Sequence, residues 1–433
     1  MRIQSSRIVL CICIFAVTYA LGVGLRLYEV PAWDNPSLSI QGEKLQATHD
    51  AYAWLAGAKE IGRTAGDPLA DITAQIHNLT GVQYGNLGFW IPVFAAPLAV
   101  FPLVLLGWRL RLEEGALTAG VLAVCSLGFF LRTRVGFYDT DILTLLFPLF
   151  LCTLLICVFS KYLRSYWCKA LQSKGFNNLP DDISIRKIKR GKNVKEHQQV
   201  EQRRSYHSLN VSDFKVRHRF LMQSLVIGLV GMLYMWFYPN AKPIALASLG
   251  ALAVCIVLLS RDWQTMRCLF LGVLIILGLS MGGLLSLAVI ALFVVMSLLK
   301  PEMFDSKNRE FFVLIFLAAL TIIDTNLVNL VWHKTIRVLT YAKLFSSELG
   351  GDTSLSLPAV TQSIREAQNI NWEDMVQRLA GNWIIFVAAG IGLVYVVFAF
   401  PTALVFLPLL GLSIFSFKLG NRFAMYGGAV MGI

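Results

Sequence analysis

The stretch Ile142–Ser160, ILTLLFPLFLCTLLICVFS, decides what kind of protein this is. Its nineteen residues carry no charge. At ~1.5 Å rise per residue a helix of that length reaches about 28 Å, close to the ~30 Å hydrocarbon core of a bilayer. Charge begins again at both ends, with Asp139 and Asp141 before the run and Lys161 and Arg164 after it. The segment reads as a transmembrane helix with acids at one surface and cations at the other.

Working outward, the same pattern recurs. Apolar runs predict spans at Ile8–Leu25, Leu87–Trp108, Gly115–Leu131, Phe220–Phe237, Pro243–Ser260, Phe311–Trp332, Trp383–Phe400 and Ala403–Phe417. Cys268–Leu299 is too long for one span and divides at Met281-Gly282-Gly283, which makes eleven. Phe423–Ile433 is half a span. The composition agrees: of 433 residues 56% are apolar and only 15% charged, with mean hydropathy +0.63, which excludes an ordinary soluble domain. The predicted fold is an all-α polytopic membrane protein.

The formal charge of +12 is concentrated. Between Lys161 and Arg219 there are 15 Lys and Arg against 5 Asp and Glu, so +10 falls in one segment and +2 in everything else. With the N-terminus inside, inner segments hold 24 Lys and Arg and outer ones 14, which fixes the orientation. Residues 161–219 then form a cytoplasmic loop, disordered or attracted to anionic membrane lipids, and no nucleic acid is expected as a partner, because no aromatic interleaving or recognised nucleic-acid motif accompanies the basic block. The first span is expected to stay uncleaved. None of the eight cysteines lies in an outer segment, so they read as packing residues.

Two long segments lie outside, 26–86 and 333–381, and long loops on a helical scaffold are where binding groups gather. Asp139 and Asp141 stand within one or two residues of hydrocarbon, where a carboxylate needs a cation. Their Asp-x-Asp spacing suits one hard divalent ion; helix N-capping by Asp141 is the other reading. Asp50, in Ala47-Thr48-His49-Asp50-Ala51-Tyr52-Ala53-Trp54, and Glu366, in Ser363-Ile364-Arg365-Glu366, are functional or simply solvated. Arg132, Arg378 and the turn Lys418-Leu419-Gly420-Asn421-Arg422 share their side of the membrane. Asp324, inside a span, reads as a helix-pairing or boundary residue.

In this order, these motifs resemble the catalytic subunit of asparagine-linked oligosaccharyltransferases, of the bacterial single-subunit PglB type, over nearly the whole chain. His49-Asp50-Ala51-Tyr52 is similar to the family's first acidic motif. Gly136-Phe137-Tyr138-Asp139-Thr140-Asp141, preceded by Arg132, is similar to the second. Ser363-Ile364-Arg365-Glu366 resembles its Thr-Ile-x-Glu motif, with Ser for Thr. Leu419-Gly420-Asn421-Arg422-Phe423 resembles its Leu-Gly-x-Arg-Phe turn, and Trp236-Phe237-Tyr238-Pro239 another outer turn.

The resemblance implies a GT-C-type glycosyltransferase membrane domain in a bacterial inner membrane, with its active face periplasmic. The implied reaction is metal-dependent, inverting transfer of an oligosaccharide from a polyprenyl-diphosphate carrier to the side-chain amide of Asn in acceptor proteins bearing an Asn-x-Ser/Thr sequon. It places Asp50, Asp139 and Glu366, supported by Asp141, around Mg²⁺ or Mn²⁺, with Asp50 and Glu366 also catalytic through the acceptor amide. Arg422 would bind diphosphate, Tyr238 the first sugar, and Arg132 would assist substrate binding. Arg378 would pair with an acidic residue two positions before the acceptor Asn, or be a helix-end charge only.

The family's Trp-Trp-Asp-Tyr-Gly motif, in a soluble domain after the last span, does not occur here. The chain is therefore expected to stop short of that domain and to be inactive, or unable to select sequons, alone. Two other readings stay open. One is a different polyprenyl-phosphate-sugar GT-C transferase, which would not need Ser363–Glu366 and Arg378 at their spacing. The other is an ion-coupled transporter, which would place its carboxylates near mid-bilayer.

Overall fold

The computed structural model describes residues 2–172, 214–260, 263–283 and 370–433, with scattered positions between 286 and 336. Nearly all regular structure among them is helical, as the apolar runs require: in hydrocarbon each backbone N–H and C=O must be satisfied within its own segment. Six described helices are long and apolar enough to cross a membrane, or seven if one bent pair counts as a single span. The chain is a multi-pass membrane protein.

Helix α1 (Arg2–Leu27) leads into a stretch of short elements. Here Ser39–Ile40 pairs antiparallel with Glu43–Lys44 across Gln41 and Gly42, both at positive φ, the conformation a two-residue hairpin turn demands. Helices α2 (His49–Ala58) and α3 (Pro68–Thr80) follow, then α4 (Tyr84–Ala95) and α5 (Val100–Leu110), which together make one span. The opening stretch Ile142–Ser160 lies in the span Asp141–Leu163, formed by the short α8 (Asp141–Thr144) and α9 (Leu146–Gln172). Beyond lie α10 (Phe214–Phe237), α11 (Lys242–Leu259) and α12 (Trp263–Met281), the last stopping at the Met281-Gly282-Gly283 break expected from sequence.

Packing follows membrane rules, in which small residues let backbones approach. Along α10, a Cβ on Gly228 would stand 2.6 Å from Leu279 of α12, and Gly231 is still more closely covered by Ser280. Phe220 of α10 lies edge-on to Phe159 of α9 at 5.3 Å. Cys152, Cys255 and Cys268 are buried in the main core and Cys11 in a smaller one.

Two expected spans take another form. In place of a continuous helix over Gly115–Leu131 there is α6 (Glu113–Cys125), then an extended Ser126 (ψ 128°) and the single turn α7 (Leu127–Phe130). The break lies where the C-terminal segment crosses: a Cβ on Gly128 would meet the Ala424 carbonyl at 2.8 Å, and Gly428 is filled by Ser126. In place of a helix over Ala403–Phe417 there are a 3₁₀ run Pro401–Phe406, Leu407–Ile414 and Ser416–Leu419. Asp324 does act at a boundary. Its Oδ2 accepts from the backbone N–H of Gly283 (2.7 Å) and Ser286 (3.0 Å), satisfying donors freed where α12 ends.

Candidate functional site: a buried carboxylate pair between two arginines

The loop 131–140 between α7 and α8 carries the acidic motif, and four contacts from distant chain hold it. Arg26, at the end of α1 and fully buried, donates from Nε to the Thr133 carbonyl at 2.8 Å and also reaches the Thr133 hydroxyl. Its guanidinium lies 5.5 Å from the Phe129 ring centre. Arg134 pairs with Glu29 at 3.1 Å. The Ala47 N–H donates to the Gly136 carbonyl at 2.8 Å, and the buried Tyr138 hydroxyl bonds with Thr73. Gly136 has φ +70°, and a Cβ there would sit 3.3 Å from Trp33, so the turn needs glycine for both conformation and space.

This loop delivers two carboxylates to one arginine. Arg132 Nε donates to Asp141 Oδ2 at 2.5 Å, and its Nη2 pairs with the same oxygen. Nη2 also stands 3.6 Å from Asp139 Oδ2, and the guanidinium lies 4.9 Å from the Phe137 ring centre. Asp139 and Asp141 side chains are only 11% and 1% exposed. Asp141 does not cap a helix through its side chain; that alternative gives way to the ion pair, and Thr140 occupies the N-cap position.

The remaining oxygens differ. Asp139 Oδ1 accepts from the Thr140 N–H (2.6 Å), the Thr140 hydroxyl (3.2 Å) and the indole N–H of Trp54 (3.0 Å). Asp139 Oδ2 has no hydrogen bond among the described residues. Among the described residues Asp141 Oδ1 is buried without a hydrogen bond, and Arg422 Nη2 stands 4.0 Å from it. Burial, reinforced by the charge of Asp141, pushes the Asp139 carboxyl up to about 6 against the opposing pull of Arg132.

Arg422 comes from the 3₁₀ turn Asn421–Tyr426, entered through Gly420 at φ 117°. Tyr238, where α10 gives way to the turn Pro239–Ala241, is within electrostatic reach of Arg422, Asp141, Asp139 and Arg132, and burial pushes its phenol up. Five residues expected from sequence thus meet: Arg132, Asp139, Asp141, Tyr238 and Arg422.

Asp50 and Arg378 are not part of this group among the described residues. Asp50 lies in the first turn of α2, half exposed, 3.6 Å from the exposed Arg63. Glu366, with its Ser363–Glu366 motif, lies outside the described residues. Among the described residues no three His, Cys, Asp or Glu side chains gather round one point. Arg378 lies, half-buried, on α13 (Trp372–Ala380), an amphipathic helix capped by Asn371, whose Oδ1 accepts from the Asp374 N–H at 2.6 Å. Met375, Val376 and Leu379 of α13 bury against Ala424, so this helix is braced on the turn that carries Arg422. A bend of 70° then leads to α14 (Trp383–Ala399).

Residues 67–167, which contain the pinned loop and the carboxylate pair, match the family described as oligosaccharyl transferase STT3, N-terminal. The resemblance to PglB-type oligosaccharyltransferases holds. Proteins named undecaprenyl-diphosphooligosaccharide–protein glycotransferase from two strains of Campylobacter jejuni are 20% identical over 401 and 405 residues, covering 89% of this chain and 47% of theirs. The chain therefore spans about half the length of the curated relatives it matches. Among solved structures, the archaeal oligosaccharyltransferase AglB from Archaeoglobus fulgidus, in complex with an inhibitory peptide and a dolichol-phosphate, is similar with TM-score 0.54 and 14% identity. The match covers 98% of this chain and 49% of that one. A crystal structure of the Archaeoglobus fulgidus enzyme in the apo form gives TM-score 0.51 at the same identity and coverage. The fold is the GT-C membrane fold of oligosaccharyltransferases.

Sequence reading missed Trp54 and Arg26. Trp54 lies four residues after Asp50, a spacing that on a helix puts both on one face, but its partner is 85 residues further on and no local pattern announces it. Arg26 lies at the edge of a span, where a cation is ordinarily taken for a surface charge.

Proposed function

We propose that the chain is an oligosaccharyltransferase acting in protein N-glycosylation, moving an oligosaccharide from a polyprenyl-diphosphate carrier to the side-chain amide of Asn in Asn-x-Ser/Thr acceptors. One observation carries the reading: Arg422 approaches Asp141 Oδ1, a buried carboxylate oxygen without a hydrogen bond, directly beside the Arg132–Asp139 contact. Two guanidinium forks flanking a carboxylate pair make a place for an anion with several oxygens, bound on a cationic rim and backed by acids that can share a cation with it.

In this reading Arg422 holds the carrier's diphosphate and Tyr238 borders the first sugar. Arg132 holds Asp141 in place and assists substrate binding. Asp139 Oδ2 is a hard donor suited to Mg²⁺ or Mn²⁺, and Asp50 and Glu366 complete the set. Such an ion, when bound, neutralises charge building on the leaving diphosphate. Asp50 and Glu366 also hold the acceptor amide by hydrogen bonds that weaken its conjugation. Its nitrogen then attacks the anomeric carbon from the side opposite the leaving group, with inversion, as the bond to the diphosphate oxygen breaks and an amide proton is lost. Arg378 pairs with an acid two residues before the acceptor Asn. The site faces the periplasm of a bacterial inner membrane.

The decisive experiment is binding of a polyprenyl-diphosphate-linked sugar to the purified chain in lipid nanodiscs. Arg422→Ala should weaken it by roughly 10–100-fold, the loss of charge-assisted hydrogen bonds. Equal binding by the Arg422→Ala protein would overturn the assignment of the diphosphate site.

A further inference from the structure

The three donors on Asp139 Oδ1 are not equivalent. The N–H and hydroxyl of Thr140 come from the next residue and accompany the turn wherever it goes. The Trp54 indole comes from α2, and it is the one donor of the three that refers Asp139 to the helix carrying Asp50. Trp54 is partly buried against the main core, so its ring is not free to follow the carboxylate. A carboxylate torsion is broad, so a hydrogen bond from a fixed ring sets the plane of the group and hence the direction in which its second oxygen faces. With Oδ1 occupied, Oδ2 is the oxygen left toward Arg132, 3.6 Å from its Nη2.

We propose that Trp54 is a positioning residue: its indole N–H fixes the rotation of the Asp139 carboxylate and ties it to the helix of Asp50, so that Asp139 Oδ2 is presented for a divalent cation. This rests on the metal-dependent reading given above. Residues that orient a ligand without touching the metal typically contribute a factor of ~10–100 in metal affinity. Trp54→Phe keeps most of the ring and its apolar packing but removes the N–H, so it separates orientation from bulk.

The test is a Mn²⁺ titration of the full chain in nanodiscs, read as free Mn²⁺ by electron paramagnetic resonance, alongside the thermal unfolding midpoint. Trp54→Phe should raise the half-saturating Mn²⁺ concentration ~10–100-fold while the unfolding midpoint stays within a few degrees of the parent. Trp54→Ala, which removes ring and donor together, should shift both. Saturable Mn²⁺ binding by the parent with an unchanged half-saturating concentration in Trp54→Phe would overturn this inference alone. A fall in the unfolding midpoint without a Mn²⁺ effect would do the same, since it assigns Trp54 to packing. Failure of the parent to bind Mn²⁺ at all would overturn the metal-dependent reading and this inference with it.

Discussion

Asp139 and Asp50 are expected to serve one ion, yet they sit in opposite surroundings. Asp139 is buried on a loop held from four directions, with one oxygen engaged by three donors and the other near a buried arginine. Asp50 is half exposed in the first turn of a ten-residue helix, opposite an arginine that is 80% exposed. The difference separates two uses of a carboxylate. A buried acid is part of the structure, because its charge has to be compensated wherever substrate is absent. An exposed acid at a helix start is compensated by water and by the helix dipole, and can be spent on substrate without cost to the fold.

The sharpest way to break that comparison is to remove the compensation at the buried site. Arg132→Ala leaves Asp139 and Asp141 facing one another without their shared cation. Breaking a buried pair in this manner costs ~3–5 kcal/mol, well beyond the value of the pair relative to an apolar substitute. Thermal unfolding of the purified chain should show it as a clear drop in midpoint, and Arg132→Lys should recover only part, since an ammonium lacks the planar fork that reaches both acids. An unchanged midpoint in Arg132→Ala would mean that the contacts of Arg132 with the two carboxylates do not hold the fold together.

Much of this arrangement is legible in the sequence. Charge-free runs place α11, α14 and the end of α10 to within a residue, though α10 starts earlier, at Phe214, and the Gly-Gly break stops α12 on position, because the bilayer imposes one length on every span. The Asp-x-Asp motif and the Arg422 turn were legible as polar groups at helix ends. What stayed hidden depends on contacts between segments. Nothing near Ser126 says that residues 424–428 will cross there and interrupt a helix. Nothing near Trp54 names Asp139, and Arg26 gives no sign that it will be buried against Thr133 and Phe129. Sequence periodicity reports what each segment does against lipid, and the site is made where segments meet.

A smaller effect is expected from the turn that aims the motif. Gly136→Ala must hold an L-residue at φ +70° and fit a methyl group 3.3 Å from Trp33. The conformational part alone costs ~1–2 kcal/mol. If the loop yields instead, it shifts the Gly136 carbonyl from the Ala47 N–H, and this joins the motif to the segment leading into α2. Carrier binding should then weaken together with stability, and a variant that loses one without the other would show that the loop and the start of α2 move independently.

The least effect on the fold is predicted for the exposed pair. Arg63→Ala removes a cation 3.6 Å from Asp50, but at this exposure such contacts are worth ~0–1 kcal/mol, so the unfolding midpoint should scarcely move. The same exposure gives the substitution a functional direction. If Asp50 has to turn from Arg63 toward a metal ion and an acceptor amide, deleting Arg63 removes a competitor, and Mn²⁺ affinity should be equal to the parent's or modestly higher. A loss of Mn²⁺ affinity in Arg63→Ala would reverse the comparison. It would mean that the exposed pair, and not the solvent, sets the orientation of Asp50, and that both carboxylates are held in place before any ligand arrives.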